Sequence, residues 1–257
     1  MGAGHNRHSY RPLILAHRGA CQAAPENTMA AFRLAAEMGA DGVEFDVQLC
    51  KDGEAVVIHN PRVDETTDGS GEVADFTLAE LQELDAGSWF ATEFAGERIP
   101  ALVQVLHELG PRMVLNVELK TWSLLSNDLE AEVVRLVEDT NMVHQVIISS
   151  FNPLALWRIR RLNRFISTGL LYAPDQPRYL RDRWLQPLVR PNALHPRWDM
   201  LDQADVAAAH RRGLRVNPWT CNDPDTTSRL VSWGVDAIIT DQPDLVYDLL
   251  HIPHSGR

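Results

Sequence analysis

Two histidines, three carboxylates, an arginine and a lysine of this sequence fall at or near the ends of apolar runs, where they could move protons, hold a cation and bind an anion. The apolar run 13–16 leads directly into His17, Arg18 and Gly19. In "GVEFDVQL", 42–49, Val43, Phe45 and Val47 alternate with Glu44, Asp46 and Gln48. Side chains two apart on a strand share a face, so Glu44 and Asp46 point the same way, about 7 Å apart along the strand. If that face is enclosed, two carboxylates there need a partner. A divalent cation such as Mg²⁺ or Ca²⁺, which prefers oxygen ligands, is the natural one. "NVELK", 116–120, repeats the device: Asn116, Glu118 and Lys120 oppose Val117 and Leu119. "VVIHN" ends on His59 and "RVNPWT" ends on Trp219. Taken singly, each residue has an ordinary reading: a surface histidine, a wet carboxylate face, a surface lysine, a packed tryptophan. They gain meaning together if the strands form a parallel barrel, whose inner face is closed off.

The elements that would position them alternate along the chain. Strands are expected near 13–16, 42–49, 55–58, 112–119, 145–149, 166–171, 192–194, 214–218 and 236–239. Helical patterns lie near 27–39, 100–109, 127–140, 153–163, 177–188, 202–212 and 223–233. Asn27 is a candidate cap for the first helix, and Asp223 followed by Pro224 opens another. Gly39, Gly213 and Gly234 each follow a helical pattern. Strand–helix alternation implies a parallel sheet covered by helices. About eight such units over this length predict an α/β fold, a (β/α)₈ TIM barrel, with polar strand ends gathered at its C-terminal face. A doubly wound open sheet is the alternative. The turn-rich section 60–99 reads as a small insertion within one barrel domain spanning 1–257.

Bulk properties narrow the function. Of 257 residues, 45% are hydrophobic and 23% charged, as in soluble globular proteins. A net charge of −11 argues against general nucleic-acid binding. No apolar run is long enough for a membrane span. The polar start "MGAGHNRHSY" lacks a signal-peptide core, and Asn6 argues against myristoylation of Gly2. Cys21, Cys50 and Cys221 show no metal-ligand spacing and cannot all pair, which suits the cytoplasm. The arginines at 158, 160, 161 and 164 read as a solvated helix face.

Seven segments in order resemble the glycerophosphodiester phosphodiesterases: "HRG" at 17–19, "PENT" at 25–28, "GVEFDVQLCKDGEAVVIH" at 42–59, "TTDGSGEVADFT" at 66–77, "NVELK" at 116–120, "NPWTCND" at 217–223 and "GVDAIITDQPD" at 234–244. The resemblance implies a (β/α)₈ barrel, one divalent cation, and hydrolysis of a glycerophosphodiester to glycerol 3-phosphate and an alcohol. It matches His17 and His59 to acid/base histidines, and Glu44, Asp46 and Glu118 to metal ligands. Arg18 and Lys120 match phosphate contacts, and Trp219 matches a residue of the glycerol pocket. Glu26 matches a residue supporting the metal or Arg18. One position departs: the family's usual His-Asp is His59-Asn60 here, so a charge that could raise the imidazole pKa is missing. Two other functions are compatible with these residues. One is lysophospholipase D-type hydrolysis, with an apolar groove drawn from Trp89, Phe90, Phe94, Trp184 and Trp198. The other is a non-catalytic barrel binding a phosphate ligand, which predicts loss of at least one of the matched residues.

Overall fold

The computed structural model describes residues 11–121 and 128–251. The start from which absence of a signal peptide is read, and the first residue of the 127–140 helical pattern, lie outside the described residues. In chain order the elements are β1 (Leu13–His17), α1 (Met29–Glu37), β2 (Gly42–Leu49), β3 (Ala55–Val57), α2 (Leu78–Leu81), α3 (Leu102–Leu109), β4 (Val114–Leu119), α4 (Leu129–Asp139), β5 (Val146–Ser150) and α5 (Pro153–Leu162). They continue with β6 (Ser167–Tyr172), α6 (Arg178–Arg181), α7 (Gln186–Val189), β7 (Ala193–Pro196), α8 (Gln203–Arg211), β8 (Arg215–Val216), α9 (Pro224–Trp233), β9 (Ala237–Thr240) and α10 (Pro243–His251).

The strands pair in parallel in the order β8-β7-β6-β5-β4-β2-β1-β9. Between β8 and β9 no ladder forms, and the gap is bridged by Asp236 N to Val216 O at 2.8 Å, Ile239 N to Pro218 O at 3.0 Å and Cys221 N to Ile239 O at 2.9 Å. The result is a nearly closed (β/α)₈ barrel. Period-2 alternation sorts the side chains. Val43, Phe45, Val47, Leu115 and Val117 face outward into the main apolar core with Phe32, Leu102 and Leu106 of the helices. Burying side chains of this size stabilises by roughly 1.5–3 kcal/mol each. Inside, Leu15, Ala237 and Ile239 form a small apolar cluster. Near it lie the buried polar side chains of Asn116, Ser149, His195 and Asn217.

Three elements depart from the sequence expectation. The segment 55–58 is not a barrel stave, because β3 turns back antiparallel along β2, with Val47 opposite Val57 and Leu49 opposite Ala55. The helix expected over 177–188 is two single turns. Pro187 removes a backbone donor, and Arg183 between the turns is left-handed (φ 57°), its guanidinium 4.3 Å over the Tyr172 ring. The closing helix α10 was not anticipated, although Val246 is fully buried on it. The arginine run is also less wet than expected, since Arg158 Nη1 bonds buried Glu130 at 2.9 Å. Between β3 and α3, the inserted segment packs Val63, Val73 and Leu81 with Val56, Ile58 and Ile99 into an apolar cluster of its own. No described helix is long and apolar enough to cross a membrane.

Candidate active site

The chain leaves β1 in a turn that aims two side chains into the barrel mouth. Arg18 is left-handed (φ 55°), an unusual state for a residue with a side chain. Its N–H donates to Glu44 O at 2.6 Å, and its carbonyl accepts from Asn27 N at 3.0 Å. Gly19 (φ 84°) is required here, because a Cβ would lie 2.7 Å from the Ala31 backbone. Asn27 does not cap α1; Thr28 does, its Oγ1 accepting from Ala31 N at 3.3 Å. Asn27 is thereby free to grip Asp46, donating from Nδ2 to Oδ2 at 3.0 Å.

Glu44 and Asp46 on β2 and Glu118 on β4 are buried, and one oxygen from each lies within 4.8 Å of the other two. Lys120 Nζ stands 3.0 Å from Glu118 Oε1 and 3.4 Å from Asp46 Oδ1, and Arg18 Nε stands 3.4 Å from Asp46 Oδ2. Arg18 also bonds Glu26 at 3.0 Å. Burial, then the charge of Asp46, push Glu44 up to about 8. Burial also raises Glu118, against the pull of Lys120. Asp46 is held low: burial would raise it, but Lys120, Arg18, His59 and the hydrogen bond from Asn27 prevail. Fully ionised, the trio would carry more negative charge than its two cations neutralise, which is why Glu44 and Glu118 are pushed up. Glu44 Oε2 is buried with no hydrogen-bond partner. A hard divalent cation fits both observations, since it would take the orphaned oxygen and relieve the repulsion.

Both histidines reach the same cavity, by different routes. His17 ends β1, with Nε2 3.9 Å from Glu44 Oε2 and Nδ1 2.6 Å from Asp241 Oδ1. Burial lowers its pKa, but the hydrogen bond to Asp241 and the charge of Glu44 prevail and raise it. His59 follows the descending strand β3, so the hairpin rather than a stave end delivers it. Gln48 Nε2 anchors that arm through the carbonyls of Ile58, His59 and Asn60 at 3.1, 3.1 and 2.8 Å. His59 Nδ1 meets Asn60 Oδ1 at 2.6 Å, and Asn60 Nδ2 donates to Glu65 Oε2 at 2.6 Å. Because a carboxylate only accepts, Glu65 fixes which end of the amide faces the imidazole. Burial carries the His59 pKa down, with Lys120 and Arg18 opposing the pull of Asp46.

His17, Arg18, Glu44, His59, Glu118, Lys120 and Trp219 line one cavity of about 170 Å³, with Phe151 and Leu171 as its apolar wall. Asp46 lies beneath, held by Lys120, Arg18 and Asn27. Trp219 donates from Nε1 to His195 O at 2.8 Å and stands edge-on to Phe151, centroids 5.6 Å apart. The eight residues matched to acid/base, metal and substrate roles converge at the C-terminal barrel mouth, and Glu26 sits behind Arg18. Sequence reasoning missed Asp241 and Asn222. Asn222 Nδ2 donates to Asp241 Oδ2 at 2.5 Å, and Asn222 Oδ1 accepts from Asp241 N at 2.9 Å. The available signal was an aspartate one residue past β9, in line with the other polar strand ends. The cysteines show no ligand spacing in sequence, but one of them meets this aspartate in space. Cys21 Sγ lies 3.3 Å from Asp241 Oδ1, because the turn after Gly19 folds back over β9.

An adjoining apolar groove of about 230 Å³ shares Phe151 with this cavity and is otherwise lined by residues such as Pro153, Leu154, Tyr179 and Leu180. None of the aromatics expected to form a groove lines it. Trp89, Phe90 and Phe94 stack edge-on among themselves, and Trp184 is 63% exposed.

Residues 17–245 match the model of the glycerophosphoryl diester phosphodiesterase family. A glycerophosphodiester phosphodiesterase of Caldanaerobacter subterraneus subsp. tengcongensis is 40% identical over 242 residues, 93% of this chain and 98% of that one. A second from Bacillus subtilis is 33% identical over 251 residues, 92% and 86% of the two chains. Among solved structures, a phosphodiesterase of Oleispira antarctica in complex with the product sn-glycerol-3-phosphate is similar at a TM-score of 0.80 and 33% identity, covering 94% of this chain and 98% of that one.

Proposed function

This chain belongs to the glycerophosphoryl diester phosphodiesterase family, and on that premise we propose that it hydrolyses glycerophosphodiesters to glycerol 3-phosphate and an alcohol with one divalent cation, Mg²⁺ or Ca²⁺. One observation carries the reading: three buried carboxylates, two imidazoles and two side-chain cations meet around a single cavity. Glu44, Asp46 and Glu118 would hold the cation, which when bound supplies electrophilic charge to the phosphoryl group. Charge balance supports this. Three carboxylates outnumber Lys120 and Arg18, the second of which is shared with Glu26, so a dication would offset the surplus that otherwise repels an anionic diester. Arg18 and Lys120 stabilise the charge that grows on the phosphoryl oxygens. Trp219 and Phe151 bound the face on which the glycerol rests.

The partners of the two histidines support a division of labour. The carboxylate behind His17 favours the imidazolium, which would protonate the departing alcohol. The amide behind His59 accepts from Nδ1–H and leaves Nε2 free to take the nucleophile's proton. Each transfer is worth roughly 10²–10⁴-fold in rate. The nucleophile is water or the glycerol 2-hydroxyl, and in the second case a cyclic phosphate forms first and water opens it. Trapping that cyclic product separates the two routes. A cytoplasmic location accords with three free thiols.

A second reading, hydrolysis of single-chain phospholipids, is favoured by the apolar groove beside Phe151, which could take an acyl chain. The non-catalytic barrel predicts a missing group, and none of the matched residues is missing. The deciding experiment measures glycerol 3-phosphate release from several diesters, with chelator and then with each metal restored. Release that is absent, or indifferent to chelator, overturns the proposal.

A further inference from the structure

His17 presents its other ring nitrogen to a second set of ligand atoms. His17 Nδ1, Cys21 Sγ and an Asp241 oxygen all lie within 4.8 Å of one another, the only such group of three among the described residues besides the carboxylate trio. Asp241 Oδ1 is 2.6 Å from the nitrogen and 3.3 Å from the sulfur. We propose that His17, Cys21 and Asp241 form a regulatory site for a zinc-type cation, distinct from the carboxylate trio, and that filling this site silences His17.

The donor chemistry separates the two sites. The trio offers oxygen alone, which suits Mg²⁺ or Ca²⁺. The second set offers one nitrogen, one sulfur and one oxygen, the mixture that tetrahedral Zn²⁺ accepts and hard cations decline. Zinc bonds of about 2.0–2.3 Å place tetrahedral ligands roughly 3.5 Å apart, so the nitrogen–oxygen pair must open by about 1 Å while the sulfur–oxygen pair is already in range. Asn222 holds the other Asp241 oxygen, which keeps the carboxylate in place as this happens. Each of the three residues is only half-buried, and water would supply the fourth ligand. Charge also closes. Burial and the Asp241 charge push the Cys21 thiol well up, so the free site holds a neutral thiol beside one carboxylate. A dication entering displaces the thiol proton and the Nδ1 proton to solvent, and thiolate plus carboxylate neutralise it. His17 then bears hydrogen on Nε2 and metal on Nδ1, so it can neither accept a proton nor become an imidazolium. Silencing rests on the role proposed for His17, but binding does not.

The test uses the full chain with saturating Mg²⁺, so that the trio is occupied. Cobalt(II), a tetrahedral stand-in for zinc, is titrated into the protein and into its Cys21→Ser variant. A near-ultraviolet thiolate-to-cobalt absorption should rise to one equivalent in the first and be absent in the second. In parallel, diester hydrolysis is measured against Zn²⁺, each protein normalised to its own zinc-free rate. Cys21→Ser should need at least tenfold more zinc for half-inhibition. No absorption in the unmodified protein, absorption that survives Cys21→Ser, or equal zinc sensitivity overturns the site. The spectroscopic arm needs no turnover, so it still decides if the diesterase reading itself fails.

Discussion

Asp241 makes no contact with the carboxylate trio, yet replacing it should cripple turnover by acting through His17. The Asp241→Asn variant removes the charge facing Nδ1 at 2.6 Å. A hydrogen bond to a charged group contributes about 1.5–3 kcal/mol. The two side chains are 20% and 19% exposed, so solvent screens part of this and about 1.5–2 kcal/mol is expected. In rate that is about 10–30-fold. The amide adds a second conflict. If its oxygen faces His17, its NH₂ meets the NH₂ of Asn222, which now donates to Asp241 Oδ2 at 2.5 Å. If its oxygen faces Asn222, its NH₂ meets Nδ1 and drives the imidazole into the other tautomer. The assay is steady-state glycerol 3-phosphate release from glycerophosphocholine at saturating metal across pH 5–9. kcat should fall with KM nearly constant. Because the carboxylate raises the His17 pKa, its loss should move the His17 limb of the profile to lower pH. A kcat within twofold of the parent with an unmoved limb, or a change confined to KM, would refute this positioning role.

Glu44→Gln should raise the metal concentration for half-maximal activity at least tenfold, and an unchanged metal curve would remove Glu44 from the ligand set. His195 is fully buried, and burial drags its pKa down to about 3. The unfolded chain takes up a proton below about pH 6.5 that the folded state refuses, so stability falls with pH, by about 2 kcal/mol between pH 7 and 5. Denaturant unfolding of His195→Gln at both pH values should show a flatter dependence, and equal slopes would count against this source. If an acyl chain uses the groove beside Phe151, Leu154→Asp should cut lysophosphatidylcholine hydrolysis at least tenfold and spare glycerophosphocholine; parallel changes would refute a chain-specific groove.

Most of the site was legible because a stave has two faces and the alternation around Glu44, Asp46 and Glu118 says which carries the polar groups. Pattern alone does not reveal pairing direction. The run 55–58 looks like any stave, and only the short turn after β2 forces it back antiparallel. Asn27 and Thr28 are adjacent and both are common caps, and only the fold shows that Thr28 caps while Asn27 bonds Asp46. Asp241 before Pro243 reads as the start of a helix, and its contact with His17 comes from residues 224 positions apart. Cys21 is likewise invisible to spacing rules, since its neighbours are near in space and far in sequence.

The hairpin that carries His59 has its other side in the satellite apolar cluster of the insertion, not in the main core. One half of the proposed acid–base pair is therefore fastened to a module that could loosen on its own. Gentle heating or low urea should extinguish turnover while circular dichroism still reports an intact barrel, and cooling should bring activity back without the delay of refolding the whole chain.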